Sequence, residues 1–267
     1  MTRALILVDR NGDYFDRNQF ELAEGFREIG IQIQRYKRQE LIFNEISITP
    51  NDIFCGTIDT CRSAFRRLRI QEPVIDTYPE SILNHPSDIM GNIKRNITLC
   101  TLHEAINSFD ESKPIFMKPV KTKMFEGKVI NTQYEMDFYK TGFDLDMMVY
   151  VSNVIDIREE YRAFIHNGKI ENISHYKGSI CNGPSEEYIE QVVEDLDILS
   201  CFYSIDIAVY EDCNKDYYSS PENRKMVLEV NDGWALGNYS MDSITYSQCI
   251  MDRWQEICQN SCKVMSA

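Results

Sequence analysis

Two short apolar segments in the last third of the chain each enclose polar side chains that could bind a divalent cation. Asp206 lies within residues 204–209, which are rich in Ile and Val, and Glu229 and Asn231 lie within residues 228–233. A carboxylate inside a buried strand is costly unless another charge or a metal compensates it. Mg²⁺ takes oxygen ligands of this kind and keeps phosphate oxygens and water in its remaining positions. The pattern is therefore compatible with a magnesium site.

Hairpin geometry predicts that these three side chains converge. Residues 211–225 are polar and contain a proline, which is typical of a loop between two antiparallel strands. Antiparallel pairing places Asp206 opposite Glu229 or its neighbour, and Glu229 and Asn231 project from one face of their strand. We expect no basic residue beside this set. An acidic turn that flanks an ordinary hairpin is the alternative, and the motif alone leaves both interpretations open.

Cations inside strand-like segments are a second group that could do chemistry. Lys118 lies in an otherwise apolar run, and Arg162 lies in an aromatic-rich strand pattern. Such a cation must be paired or must face a cleft, where a bound phosphate would supply the missing charge. Residues 121–128 carry three lysines and a glycine, as in a flexible loop that can close over phosphates. A solvated hairpin tip beside an exposed Lys118 is the other interpretation.

The composition excludes several classes of function. The 267 residues include 28 Lys and Arg against 42 Asp and Glu, so the formal net charge is −14. This balance opposes general binding to nucleic acid or to anionic membranes. No Gly-x-Ser-x-Gly, His-Glu-x-x-His or Walker-type motif occurs. The four histidines are few for acid–base catalysis that depends on histidine.

Apolar runs, cysteines and one basic segment complete the compositional picture. No apolar run reaches membrane-spanning length and no signal pattern opens the chain, so we predict a cytoplasmic protein. The nine cysteines are odd in number and lack a Cys-x-x-Cys pair, which predicts reduced thiols. The arginines of residues 61–69 would form a basic face on a helix. A solvated face and a site for phosphate or a partner both stay open.

The hydrophobic patterns of residues 4–68 alternate between strand and helix. Strands are predicted at residues 4–8, 31–36 and 52–55, and helices at 18–29, 39–43 and 59–68. This alternation indicates a small open α/β lobe with a parallel sheet. The first strand leads into Asp9 and Arg10 rather than into a Gly-x-Gly-x-x-Gly turn, which excludes a dinucleotide site of the usual kind.

The rest of the chain is predicted to consist mainly of strands. A connector with prolines at residues 73–86 and a helix at 93–108 come first, and strands follow at 115–120, 128–131, 147–154, 161–165 and 169–176. Ser185 is predicted to cap a helix whose first turn is acidic. A last helix is predicted at residues 244–258.

Taken in order, these segments resemble the ATP-grasp superfamily. They are similar within it to the ribosomal-protein glutamate ligases and to an uncharacterised phage and bacterial branch. The matching pieces are residues 116–119, 123–127, 149–154, 160–165, Lys177, Asp206 and residues 229–231. The resemblance implies an α/β fold, with α+β organisation in the catalytic part. It places an open α/β lobe at residues 1–85 and a two-lobed ATP-grasp domain with antiparallel sheets at residues 86–267.

The resemblance also implies ligands and roles for individual residues. ATP and one or two Mg²⁺ ions are the implied cofactors, with Asp206, Glu229 and Asn231 as metal ligands. Arg162 and Lys177 would face the γ-phosphate and an acyl-phosphate intermediate. The implied nucleotide contacts are Lys118 at the α- and β-phosphates, Lys123 in a lid formed by residues 121–128, Glu160, and the backbone of Val149, Tyr150 and Val151 as a hinge that reads adenine. Lys94 is the nearest candidate for a second phosphate-binding lysine, and Arg95 competes for that role.

The implied activity is that of an ATP-dependent carboxylate–amine ligase that forms ADP and phosphate. The expected partners are a carboxylate and an amine on an amino acid, a peptide or a protein, without nucleic acid or membrane, and a homodimer stays open. A kinase-like phosphotransferase on the same fold is the first alternative, and a non-catalytic nucleotide-binding interaction protein is the second. Charge develops on the transferred phosphoryl group, so such a site needs cations and Mg²⁺ but no dedicated nucleophile.

Overall fold

A parallel three-stranded sheet forms the N-terminal lobe of the computed structural model, which describes residues 2–73, 75, 96–121, 124–179, 183–210 and 225–265. Its strands are β1 (Arg3–Val8), β2 (Gln32–Lys37) and β3 (Ile53–Cys55), in the order β2-β1-β3. Its helices are α1 (Arg17–Glu28), α2 (Arg38–Ile42) and α3 (Ile58–Leu68). The central strand β1 is apolar and buried along most of its length, as expected for a parallel strand that is covered on both faces. These elements confirm the predicted α/β lobe.

An antiparallel four-stranded sheet follows in the middle of the chain. Its strands β4 (Ile97–Thr101), β5 (Ile115–Pro119), β6 (Lys128–Ile130) and β7 (Met148–Asn153) are ordered β4-β7-β5-β6. The helices α4 (Leu102–Ser108) and α5 (Gln133–Gly142) belong to the same unit. Met117, Ile130 and Val149 of the sheet share one buried core with Leu102 and Met136 of these helices.

The helix predicted over residues 93–108 is wrong in its first half. Strand β4 occupies part of this segment and pairs with β7, and the helix begins only at Leu102. β-Branched residues dominate the strand and favour it over a helix. Thr101 then caps α4, because its hydroxyl accepts a hydrogen bond from the Glu104 amide while the Glu104 carboxylate accepts one from the Thr101 amide.

A second antiparallel four-stranded sheet carries the predicted acidic hairpin. Strands β8 (Ile157–His166), β9 (Lys169–Gly178), β10 (Phe202–Tyr210) and β11 (Lys225–Asp232) are ordered β11-β10-β8-β9, and a short 3₁₀ turn at Gly233–Ala235 follows. Helix α6 (Glu186–Leu196) packs on this sheet, and the Ser185 hydroxyl caps it as predicted by accepting a hydrogen bond from the Tyr188 amide. Every residue of β10 is buried, so an acidic side chain on it must be compensated.

The last helix, α7 (Ser243–Met265), packs with the N-terminal lobe and extends beyond the predicted residues 244–258. Tyr246 and Trp254 share a buried core with β1, β3 and α1. The Trp254 ring stacks on Phe65 of α3, with centroids 4.9 Å apart. The division of the chain at residue 85 falls outside the described residues and stays a prediction. None of the helices in the described part of the chain is both long and apolar enough to cross a membrane.

We expect the substitution Gly25→Ala to destabilise the contact between α1 and α7. A Cβ at Gly25 would overlap the Ser243 carbonyl oxygen and the Ser247 hydroxyl, so the two helices would have to separate. Such overpacking costs about 1–3 kcal/mol or more, which urea unfolding would measure. Gly142→Ala is the matched control, since its Cβ would meet nothing within 4 Å. Equal midpoints for the two variants would show that the close approach of the helices is not needed.

Candidate active site

A cavity of about 580 Å³ lies between the two antiparallel sheets. One sheet lines it with Phe116, Lys128 and Val129, and residues 154–156 line it from the connection between β7 and β8. The other sheet contributes Ile157, Glu160, Tyr176, Lys177, Asp206, Leu228 and Glu229. Several charged residues that the sequence singled out therefore meet at one cavity.

The predicted register of the acidic hairpin is confirmed. Strands β10 and β11 pair antiparallel with Asp206 opposite Glu229. Asn231 lies two residues further along β11, and its amide nitrogen is 3.4 Å from Asp206 Oδ2 and 3.2 Å from Glu229 Oε1. Asp206 is only 2% exposed. The three side chains converge, although residues 211–224 of the predicted hairpin loop are outside the described part of the chain.

The expectation that no basic residue lies beside this set is wrong. Arg162 is opposite Asp206 because β8 is the other neighbour of β10. Its guanidinium donates two hydrogen bonds of 2.6 Å, from Nε to Asp206 Oδ1 and from Nη2 to Asp206 Oδ2. The Lys118 ammonium, on β5 of the facing sheet, forms an ion pair with the Glu229 carboxylate. Each buried carboxylate thus has its own cation, as burial requires.

The two carboxylates differ in their affinity for protons. Burial raises the pKa of Asp206 and the nearby Glu229 charge raises it further, while the hydrogen bonds from Arg162 oppose the rise. Burial also acts to raise the pKa of Glu229, but Lys118 and the Asn231 amide outweigh it and hold that pKa below its usual value. The cations therefore keep a close pair of buried acids ionised.

Two tyrosines that the sequence did not single out lie against Arg162. The guanidinium carbon is 4.6 Å from the centroid of the Tyr239 ring and 5.7 Å from that of Tyr176, within the range of cation–π attraction. Tyr239 and Ser240 have φ values of 46° and 67°, an unfavourable region for residues other than glycine. The Ser174 hydroxyl donates a hydrogen bond to the Tyr239 carbonyl and helps to hold this loop in place.

Glu160 and Lys177 form a further charged pair in the cavity. They lie opposite each other on β8 and β9, and the Lys177 ammonium pairs with the Glu160 carboxylate. The Tyr176 hydroxyl donates a 2.9 Å hydrogen bond to the other oxygen of that carboxylate. The Lys177 side chain is 68% exposed, against 11% for Glu160. Lys177 is therefore the partner that can turn toward a bound ligand.

Strand β7 does not form the predicted hinge. Val149, Tyr150 and Val151 pair with β4 on one side and with β5 on the other, so ladder hydrogen bonds occupy their backbone groups. The prediction of a hinge at these residues is therefore wrong. The chain leaves the sheet later, and residues 154–156 make the connection and line the cavity.

Two predicted phosphate ligands, Lys94 and Lys123, lie outside the described residues, and their roles stay predictions. At the far end of the loop 121–128, Lys128 lines the cavity and its ammonium is 3.7 Å from a Glu135 carboxylate oxygen. Gly127 lies so close to Phe116 that a Cβ would overlap the ring. This end of the loop is therefore held beside the cavity.

The chemistry of the acidic hairpin fits a magnesium ion. Asp206 and Glu229 supply carboxylate oxygens, whereas Asn231 presents its amide nitrogen to both and offers its oxygen only after the amide rotates. In the part of the chain that the structure describes, no group of three or more His, Cys, Asp or Glu side chains is arranged for a metal. Mg²⁺ is usually held by one or two carboxylates and takes its remaining oxygens from phosphates and water. The metal role of these residues stays a prediction.

The sheet topology and the charged cavity are those of an ATP-grasp protein. A sequence profile of an ATP-grasp domain, the second family of its clade, matches residues 93–249, which is more than half of the chain. The chain therefore belongs to this ATP-grasp family, and the resemblance found in the sequence is confirmed.

Solved structures of ATP-grasp proteins share this fold. A RimK-domain ATP-grasp protein from Sphaerobacter thermophilus is 13% identical with a TM-score of 0.53, over 98% of this chain and 100% of that one. N5-carboxyaminoimidazole synthetase from Staphylococcus aureus is 8% identical with a TM-score of 0.56, over 94% of this chain and 77% of that one. Identities this low show a common fold alone. Comparison with curated protein sequences finds no significant match.

Proposed function

We propose that this protein is an ATP-dependent carboxylate–amine ligase that forms ADP and phosphate. The observation that carries the proposal is the meeting of Lys118 from one sheet with Glu229 and Asp206 from the other, beside a cavity of about 580 Å³. Two carboxylates and a cation at one point suit a nucleoside triphosphate with its metal. Membership of the ATP-grasp family supports ATP as the nucleotide.

The lining of the cavity supports a place for each part of the nucleotide. Phe116, Val154 and Leu228 offer apolar surface for adenine, and the backbone of residues 154–156 is close enough to read its edge. Lys118 is the proposed contact for the α- and β-phosphates, since Glu229 already holds it at the acidic hairpin. Lys123 and Lys94 are proposed to add contacts from the lid and from the segment before β4.

Asp206, Glu229 and Asn231 are the proposed ligands of one or two Mg²⁺ ions. When bound, the metal supplies positive charge to the β- and γ-phosphates. Glu229 would then exchange its contact with Lys118 for the metal, and Lys118 would exchange Glu229 for phosphate. The ion pair thus keeps both groups poised while the nucleotide is absent.

The proposed reaction has two displacement steps. A substrate carboxylate oxygen attacks the γ-phosphorus, the bond to the bridging oxygen of ADP breaks, and an acyl phosphate forms. An amine then attacks the acyl carbon, phosphate leaves, and the nitrogen gives up a proton to complete the amide. Arg162 and Lys177 are proposed to stabilise the negative charge that develops on the transferred group. Burial acts to lower the pKa of Arg162, but its hydrogen bonds to Asp206 outweigh burial and raise that pKa, so Arg162 stays cationic throughout.

Hydroxylamine tests the proposal, because it is a strong amine that captures acyl phosphates. The protein would be incubated with Mg²⁺ and ATP, hydroxylamine, and a panel of amino acids and peptides as carboxylates. A ligase is expected to form hydroxamate and ADP in equal amounts. ADP together with a phosphorylated product that hydroxylamine does not change would identify the kinase-like alternative. No ADP with any carboxylate would favour the non-catalytic nucleotide-binding alternative.

The partners and the location of the protein stay predictions. We propose a carboxylate and an amine on small molecules, peptides or proteins, without nucleic acid or membrane, and cytoplasmic residence. The net charge of −14 supports the exclusion of nucleic acid. A homodimer stays open.

A further inference from the structure

A second, smaller pocket lies between the start of α3 and the end of β11. Its volume is about 140 Å³, room for roughly ten water-sized groups. A single free amino acid has about this size, whereas a nucleotide does not fit. Asn231 lines the pocket and also contacts both carboxylates of the acidic hairpin. The pocket therefore adjoins the proposed reaction centre.

The charges that line this pocket are balanced. Arg62 Nε donates hydrogen bonds of 2.8 Å and 3.0 Å to the two carboxylate oxygens of Glu72, and both side chains line the pocket. Asp232 lines it as well, but Arg253 of α7 neutralises it through hydrogen bonds of 2.8 Å and 2.6 Å. A ligand with one charge would leave either Arg62 or Glu72 without compensation in a partly buried place. A zwitterion matches both.

Arg62 differs from the other arginines of the basic segment at residues 61–69. Arg66 is exposed and donates a hydrogen bond to the Ser63 hydroxyl of its own helix. Arg67 donates a 2.7 Å hydrogen bond to the Ile46 carbonyl and so has a structural role. Arg62 lines a pocket beside the candidate active site. The two interpretations of this segment thus apply to different residues.

We propose that this pocket binds the amine substrate as a free α-amino acid, with the carboxylate on Arg62 and the ammonium on Glu72. The proposal rests on the ligase function and names its amine. A carboxylate held by an arginine fork is a poor nucleophile toward phosphorus, so the amino group is the end that reacts. Ile58, Pro73 and Trp234 form apolar walls, which favours an amino acid with an apolar side chain.

Calorimetric titration of the protein with L-alanine, L-valine and L-leucine, in the presence of Mg²⁺ and ADP, tests the proposal. At least one of them is expected to bind saturably. Its amide and its N-acetyl derivative each lack one charge and should bind at least tenfold more weakly. Arg62→Gln and Glu72→Gln should each weaken the amino acid at least tenfold, while the matched control Arg66→Gln on the same helix should leave binding unchanged.

The outcome separates this inference from the ligase function. Binding of Mg²⁺ and ATP, measured on the same preparations by thermal shift, is expected to survive Arg62→Gln and Glu72→Gln. If nucleotide binding persists but none of the three amino acids binds, or Arg62→Gln leaves their binding unchanged, the pocket has another role and the ligase function stands. If the nucleotide itself does not bind, the ligase function fails first.

Discussion

Glu229→Gln is expected to lower the rate of ADP formation by roughly two orders of magnitude or more, while the protein without ATP melts within a few degrees of the wild type. The substitution keeps the shape of the side chain but removes a charge from the proposed Mg²⁺ site, where even supporting residues contribute about 10–100-fold. Its effect on folding is small, because the loss of the Lys118 ion pair is offset by relief of repulsion from Asp206. ADP release and thermal unfolding of the same preparation measure both effects.

Glu104→Gln is the matched control for this variant. Glu104 accepts a hydrogen bond from the Thr101 amide in the capping box of α4, and glutamine serves equally well at that position. Both activity and melting temperature should therefore remain near wild type. Lost stability with preserved activity in Glu229→Gln would show an ordinary hairpin acid and would remove the metal site.

Arg162→Ala is expected to cost about 3–5 kcal/mol of folding free energy and to abolish turnover. We predict from the sequence that this cation faces a cleft, but its side chain is only 12% exposed and Asp206 is its buried partner. Removing one member of a buried pair leaves an uncompensated charge. Urea unfolding gives the change in free energy of unfolding, and ADP release gives the loss of turnover.

Two comparisons separate the buried pair from a general effect of losing an arginine. The double variant Arg162→Met with Asp206→Asn carries no lone charge, so most of the lost stability should return while turnover stays absent. Arg17→Ala removes an exposed partner of Glu21, with 83% of the arginine side chain accessible, and should cost less than about 1 kcal/mol. If Arg162→Ala is as stable as Arg17→Ala, the ion pair with Asp206 does not support the fold.

The acidic hairpin was predictable because strand periodicity is local. An antiparallel pair with a polar loop fixes which side chains face each other, and Asp206 is opposite Glu229 as the spacing predicts. The sequence could not show that Arg162 and Lys118 lie beside this pair. Their positions depend on β8 becoming the other neighbour of β10, and on the facing of two sheets that are far apart along the chain.

The errors at β7 and β4 have a similar origin. Apolar content predicts a strand at residues 147–154 but does not show where the chain leaves the sheet, because the lengths of the neighbouring strands decide that. Residues 97–101 pair with β7, and this long-range contact overrides the helical pattern of the segment. Tyr239 gave no signal at all, since its contact with Arg162 depends on how the loop before α7 packs onto β8 and β9.

Thermal unfolding with ATP tests the central claim most directly. The protein would be melted alone, with Mg²⁺ and ATP, and with ATP and EDTA. With the nucleotide about a hundredfold above its dissociation constant, the free energy of unfolding should rise by roughly 2.7 kcal/mol in the presence of Mg²⁺. Most of this gain should disappear with EDTA, because Asp206 and Glu229 then repel the phosphates. A melting curve that is indifferent to ATP under both conditions would contradict the assignment of a nucleotide site to this cavity.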